Sequence, residues 1–240
     1  MTRLKEILMA AQLPLDDALI EKLNQYHTLL LDWNTRMDLT SVSEKDMAAR
    51  HFVDSLLPLK KEELFPDGIT LIDVGTGAGF PGLPLAIARP DMKVTLLEAQ
   101  GKRCQFLHAV CQALALENVT IINDRAEVLG RDEAHREQYD RAVARAVAPL
   151  NILCEYLLPF VKEGGCALCW KGPAVMEEKA DGAAAAKMLG GQLTDVMEMA
   201  LPGMESGHVL AKIMKIEKTL PQYPRKNGIP AKRPLRAAKE

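Results

Sequence analysis

The stretch Thr70-Leu-Ile-Asp-Val-Gly-Thr-Gly-Ala-Gly-Phe-Pro-Gly-Leu-Pro-Leu-Ala-Ile-Ala88 decides how the rest of the chain is read. Leu71, Ile72 and Val74, with Thr70, make a short buried strand, and glycines at 75, 77 and 79 end it abruptly. Glycine there lets the backbone take φ > 0 and lets a ligand approach without a Cβ in the way. Leu83, Leu85, Ile87 and Ala88 then start a helix. A strand, a glycine loop and a helix N-terminus form the first unit of an open α/β sheet that binds a nucleoside-containing ligand. Asp73 separates two ligand classes. A carboxylate beside the loop repels a pyrophosphate, whereas it attracts the ammonium and sulfonium of S-adenosylmethionine. A G-x-G-x-x-G can be read at Gly77, Gly79 and Gly82, but it starts two residues into the loop instead of at the strand end.

Outward from that unit, 240 residues with 48% hydrophobic content suffice for one large core and a small appendage. The net charge of −2 conceals an asymmetry: residues 218–240 carry seven Lys/Arg against one Glu, +6, which leaves −8 for the rest. Tail and body therefore call for different partners. No apolar window of about eighteen residues exists, and the first residues mix both charges, so a soluble cytoplasmic protein is expected. Five cysteines suit a reducing compartment. Cys166 and Cys169 form a lone C-x-x-C without the further ligands of a zinc site; three apart on a strand, they face opposite sides and pack.

The amino-terminal block, residues 1–62, is helical. Leu19, Ile20, Leu23, Tyr26, Leu30 and Trp33 form one stripe on a helix from Asp16 to Asn34, and Ser43 with Asp46 predicts a variant capping box opening a helix through Arg50, His51 and Asp54. Arg50 and Asp54, four apart, predict a helix-face ion pair. From 63 to 217 strands and helices alternate: Val94–Leu97 ends in Glu98, positioned for a ribose; Val119–Ile122, Val143–Arg145 and Cys166–Trp170 follow. A last hairpin, Gln192–Met197 and His208–Ile216, is joined through Pro202 and Gly203. The expected fold is α/β, a mostly parallel seven-stranded sheet of the class I (Rossmann-like) methyltransferase layout with an N-terminal helical cap. Residues 218–240, basic and proline-rich, predict an extended polyanion-binding arm.

Eight pieces in order resemble one family: W-N with D-L-T (Trp33, Asn34, Asp38–Thr40), R-H-F-V-D-S-L (Arg50–Leu56), the glycine stretch, G-K-R (Gly101–Arg103), R-A-E (Arg125–Glu127), A-R-A (Ala144–Ala146), W-K-G (Trp170–Gly172) and R-K-N-G-I-P (Arg225–Pro230). They resemble the RsmG/GidB family of bacterial small-subunit (16S) ribosomal RNA guanine N7-methyltransferases. The resemblance implies S-adenosylmethionine as cofactor, with Gly75 and Phe80 lining its site, Glu98, Ala99 and Gln100 at the ribose, Ala126 and Glu127 near the adenine, and Arg145 at the inner edge; Asp73, Gly77 and Gly79 are expected there from the reading of the glycine loop itself. It implies RNA binding for Arg225 and Lys226, which lie in a family motif, and ribosomal RNA or a small-subunit particle as partner, without membrane or metal; Lys171, at a strand end on the side where a base would enter, and His51, which by spacing alone reads as a structural histidine, are the further residues expected to bind or position RNA. Two positions depart from the family pattern: Glu98-Ala99 where Asp-Ser is commoner, and Asp38 where Asn is usual.

Guanine N7 presents an unprotonated lone pair, so no catalytic base is expected. In keeping with that, the chain has neither an N/D-P-P-Y after its fourth strand nor a Pro-Cys nucleophile. A small-molecule methyltransferase fits the glycine loop but not the basic tail, and a non-catalytic, S-adenosylmethionine-responsive RNA-binding protein is the alternative from another class.

Overall fold

The computed structural model describes residues 3–13, 15–145, 148–172, 174–201 and 208–237. The cap opens with α1 (Arg3–Ala10) and α2 (Asp17–Asn34). Asp16 caps α2 by accepting the Leu19 N–H at 2.8 Å, and Ile20, Leu23, Tyr26 and Leu30 form its buried stripe. Next comes one run of helix, α3 (Glu44–Met47), a π-helical turn (Ala48–Val53) and α4 (Asp54–Leu56). Here two expectations fail. The Ser43 hydroxyl donates to the Asp46 carboxylate at 2.7 Å instead of capping a backbone N–H. Arg50 and Asp54 do not pair either, because the π turn sends the Asp54 N–H to Ala49 O, five residues back, and Asp54 turns inward while Arg50 stays exposed.

Seven strands follow: β1 (Thr70–Val74), β2 (Lys93–Leu97), β3 (Val119–Ile122), β4 (Tyr139–Arg145), β5 (Val161–Lys171), β6 (Gly191–Met199) and β7 (His208–Lys215). They lie in the order β3-β2-β1-β4-β5-β7-β6; only β7 runs antiparallel to its neighbours. The helices between them are α5 (Gly82–Ala88), α6 (Gly101–Ala113), α7 (Ala126–Leu129), α8 (Leu150–Leu157) and α9 (Val175–Met188). Strand order reverses at β1 and β4, which opens a crevice above their carboxyl ends. Alternation along each strand divides the core. Leu71, Leu96, Cys166 and Leu168 pack under the cap with Leu23, Tyr26 and Phe52; Ile72, Leu97, Ala167 and Cys169 face α8 with Leu153 and Leu157. Cys166 and Cys169 thus pack on opposite faces, both buried and free. Among the described residues no helix is long and apolar enough to cross a membrane. The proposed hairpin joint at Pro202 and Gly203, Ala146, and residues 238–240 lie outside the described residues.

The tail corrects the expected extended arm. It is a strap that packs on α7 and α8 and includes α10 (Ile229–Lys232), a helical turn that tolerates Pro230 because a first-turn residue needs no N–H partner. Arg136 donates to the carbonyls of Thr219, Leu220 and Tyr223; Glu127 accepts the Gly228 N–H at 2.9 Å, and Asn151 donates to Leu235 O at 2.7 Å. Arg225 turns inward. Its guanidinium forks onto the buried Glu155 carboxylate (2.9 and 2.6 Å), which also accepts the Arg225 N–H.

Candidate active site

Immediately after β1, the Gly75 N–H donates to Leu97 O at 2.8 Å, hooking the turn onto β2; Gly75 and Gly77 sit at φ 70° and 61°, the left-handed region that glycine adopts without strain. Asp73 lies beneath this loop and not in front of it. One carboxylate oxygen accepts from the Thr76 hydroxyl (2.6 Å) and the Gly82 N–H (2.8 Å), while the other is buried without a partner among the described residues. Burial pushes its pKa up to about 6 despite those hydrogen bonds. At the end of β2, Glu98 accepts the Gly77 N–H at 2.9 Å on one oxygen and the Gln100 N–H at 2.8 Å on the other. The cap contributes Tyr26, whose buried hydroxyl donates to Ala78 O in the loop.

Phe80 anchors the far wall. Tyr26 stacks on it at 5.2 Å and His51 at 4.5 Å, and the Arg145 guanidinium lies 4.9 Å from its ring centroid. Arg145 also donates to Arg50 O at 2.9 Å, a carbonyl the π turn releases from the Asp54 N–H. A guanidinium only donates, so at 3.0 Å from Arg145 the His51 Nδ1 must accept, and its Nε2–H donates to the Thr40 hydroxyl at 2.7 Å. Burial first, and the Arg145 charge second, lower the His51 pKa to about 3, so the ring is neutral at physiological pH. Asp54, fully buried, neutralises Arg145 at 3.0 Å and meets His208 Nδ1 at 2.7 Å.

Together these groups surround a cavity of ≈ 630 Å³, within the ≈ 300–1,000 Å³ usual for small-molecule sites. Gly75, Gly77, Phe80, Glu98, Ala99, Gln100, Arg145 and His51 line it. Asp73, Gly79, Ala126 and Glu127 do not: Asp73 and Glu127 are turned inward, one under the loop and the other onto the strap. Lys171 lines an adjoining cavity, with its ammonium on Glu178 (2.8 Å) and Ala148 O. Arg225 and Lys226 belong to the strap, away from both cavities. Reading the sequence missed Tyr26 and Asp54 as supports, and Arg103 among the lining residues. Arg103 could have been found as the cation in the first turn of α6, beside Glu98.

The sequence pattern of the family described as rRNA small subunit methyltransferase G (GidB) matches residues 19–205. The ribosomal RNA small subunit methyltransferase G of Alkaliphilus metalliredigens is 47% identical over 92% of this chain and 93% of its own. That of Alkaliphilus oremlandii is 45% identical over 97% and 98%. Among solved structures, M. jannaschii TYW2 in complex with AdoMet superposes with TM-score 0.51 at 19% identity, covering 68% of this chain and 77% of that one. A 16S rRNA (adenine(1408)-N(1))-methyltransferase from Catenulisporales acidiphilia superposes with TM-score 0.52 at 16% identity, covering 68% and 91%. At such identities the superpositions show a shared fold.

Proposed function

The chain belongs to the rRNA small subunit methyltransferase G family, and from that membership we propose its reaction: transfer of a methyl group to N7 of a guanine in small-subunit (16S) ribosomal RNA. It is an S-adenosylmethionine-dependent rRNA methyltransferase. The observation that carries the site assignment is the cradle at the sheet's switch point. Glu98 grips the Gly77 N–H from the end of β2, and a Cβ built on Gly77 meets nothing within 4 Å, so the loop's outer face is free for a ligand. A nucleoside with a ribose for Glu98 fits this donor set, with Ala99 and Gln100 beside it.

S-adenosylmethionine supplies the methyl as a sulfonium, a leaving group that departs as a neutral thioether. The chain's residues have to align the acceptor and manage charge. Arg145 sits at the inner edge as a cation, but Asp54 cancels its charge, so the wall does not repel a sulfonium as a bare guanidinium would. His51 is neutral with both ring nitrogens engaged, so it orients and does not take a proton. A reaction at N7 needs no base. We read the cap (1–62) as the far wall of the site, the sheet (63–217) as its floor, and the strap (218–240) as a brace carrying exposed cations toward RNA; ribosomal RNA as partner assigns the reaction to the cytoplasm.

Purified protein incubated with methyl-labelled S-adenosylmethionine should label 16S RNA lacking the modification, supplied naked or as a small-subunit particle, and nuclease digestion should return the label as 7-methylguanosine. Label on neither substrate, or on another nucleoside, would overturn the reading.

A further inference from the structure

A second cavity, ≈ 250 Å³, opens beside the first, with Val42, His51 and Arg145 in the wall between them. It is smaller than the ≈ 300–1,000 Å³ of pockets for larger ligands, the scale of one base drawn out of an RNA stack. Its remaining surface comes from Arg50, Trp170, Lys171, Gly172 and His208. Among the described residues no carboxylate lines it: Asp54 is sealed behind Arg145 and His208. An aromatic side chain and several donors around an acid-free space suit an electron-rich purine.

His208 gives that space a direction. At 2.7 Å from Asp54, whose carboxylate can only accept, Nδ1 carries the proton, so in the neutral ring Nε2 on the opposite edge is an acceptor. Nε2 has no partner among the described residues. Asp54 is itself fixed by Arg145, and Trp170 donates its indole N–H to Asp54 O at 2.9 Å, so the ring is oriented by buried groups on three elements.

We propose that this cavity receives the acceptor guanine, with N7 toward the cofactor cavity, and that His208 Nε2 accepts the base's N1–H. The proposal rests on the N7 reading above. Guanine offers N1–H as a donor where adenine has a lone pair, so an adenine would set two acceptors against each other and leave a buried group unpaired. The contact also grows during reaction. As N7 gives its lone pair to the methyl carbon and the carbon–sulfur pair returns to sulfur, the purine gains one positive charge, its N1–H becomes a stronger donor, and the proton stays on N1. A hydrogen bond that strengthens toward the transition state raises kcat rather than only lowering KM.

The test crosses two enzymes with three substrates: wild type and His208→Ala, each with small-subunit RNA carrying guanine, N1-methylguanine or 7-deazaguanine at the methylated position. Wild type should slow about tenfold or more on N1-methylguanine, His208→Ala should slow similarly on guanine, and the two changes together should cost little more than either alone. Losses that multiply, or a wild-type rate undiminished on N1-methylguanine, overturn the proposal. Methylation of 7-deazaguanine RNA would instead overturn the N7 reading, a separate failure. Affinity for S-adenosylmethionine should be unchanged in His208→Ala, because His208 does not line the cofactor cavity; a merely structural role would lower it along with Tm. If His208→Ala does not fold, the wild-type rate on N1-methylguanine decides.

Discussion

The glycine loop and the carboxyl-terminal strap are built from residues that binding segments favour, glycine in one and Lys/Arg with proline in the other, yet they divide their chemistry differently. In the loop the acid goes inward, Asp73 onto Thr76 and Gly82, and the backbone face stays open. In the strap a cation goes inward, Arg225 onto Glu155, while Lys226, Lys232 and Arg233 stay exposed. Both segments show that a residue type identifies a possible contact, but the nearest buried counter-group decides whether that contact holds the chain or meets a ligand.

Breaking the loop should have the larger functional effect. Gly77→Val puts a branched Cβ into the open face at a φ of 61° that β-branched residues avoid, and calorimetry should show S-adenosylmethionine binding abolished. Retained affinity would mean that the ligand does not approach Gly77.

Breaking the strap should cost stability and not cofactor affinity. Arg225→Ala leaves the buried Glu155 carboxylate unpaired, and removing one member of a buried pair costs about 3–5 kcal/mol. Arg225 is one-quarter exposed, so the lower end of that range is expected in urea denaturation. A neutral outcome would turn Arg225 back into a candidate RNA contact.

The inward acid has its own signature in pH. Asp73 titrates near 6 in the folded chain against 3.8 for an ordinary aspartate, so the folded state holds this proton more tightly. Its contribution to stability is therefore full below about pH 4 and is lost as pH rises through 6, about 3 kcal/mol for a difference of about two pH units. Asp73→Asn should gain on the wild type by about that amount between pH 4 and pH 7.5, as followed by urea denaturation at each pH. A constant difference would show that Asp73 ionises in the folded chain as it does in water.

The smallest effect is expected at the strap's outer face. Lys226→Ala should leave stability within about 0.5 kcal/mol and lower the log–log salt slope of RNA binding by about 0.7–0.9, the share of a single neutralised phosphate. An unchanged slope would remove Lys226 from the RNA surface.

Much of the fold was legible because its signals are local. The stripe from Ile20 to Leu30, the strand at Val119–Ile122 and the opposite facing of Cys166 and Cys169 all follow from the 3.6 and 2 residue periods. That Glu98, Gly75 and Gly77 share one crevice was legible because a strand end and a turn place them wherever the rest of the chain goes. Asp54 was misread: a helical i,i+4 rule pairs it with Arg50, but the π turn breaks that spacing and two residues over ninety positions away, Arg145 and His208, claim its carboxylate.

Sequence alone determined the order of elements, the mostly parallel α/β sheet, the glycine turn after β1 and the family motifs, because backbone periodicity and steric limits act over a few residues. Tertiary structure decided which way each charge turns: Asp73 under its loop, Glu127 and Glu155 onto the strap, Asp54 between Arg145 and His208. The physical reason is desolvation. A buried carboxylate must find donors wherever the fold brings them, and for Asp54, Glu127 and Glu155 those donors lie tens of residues away along the chain, whereas Asp73 takes its own from the turn that follows it.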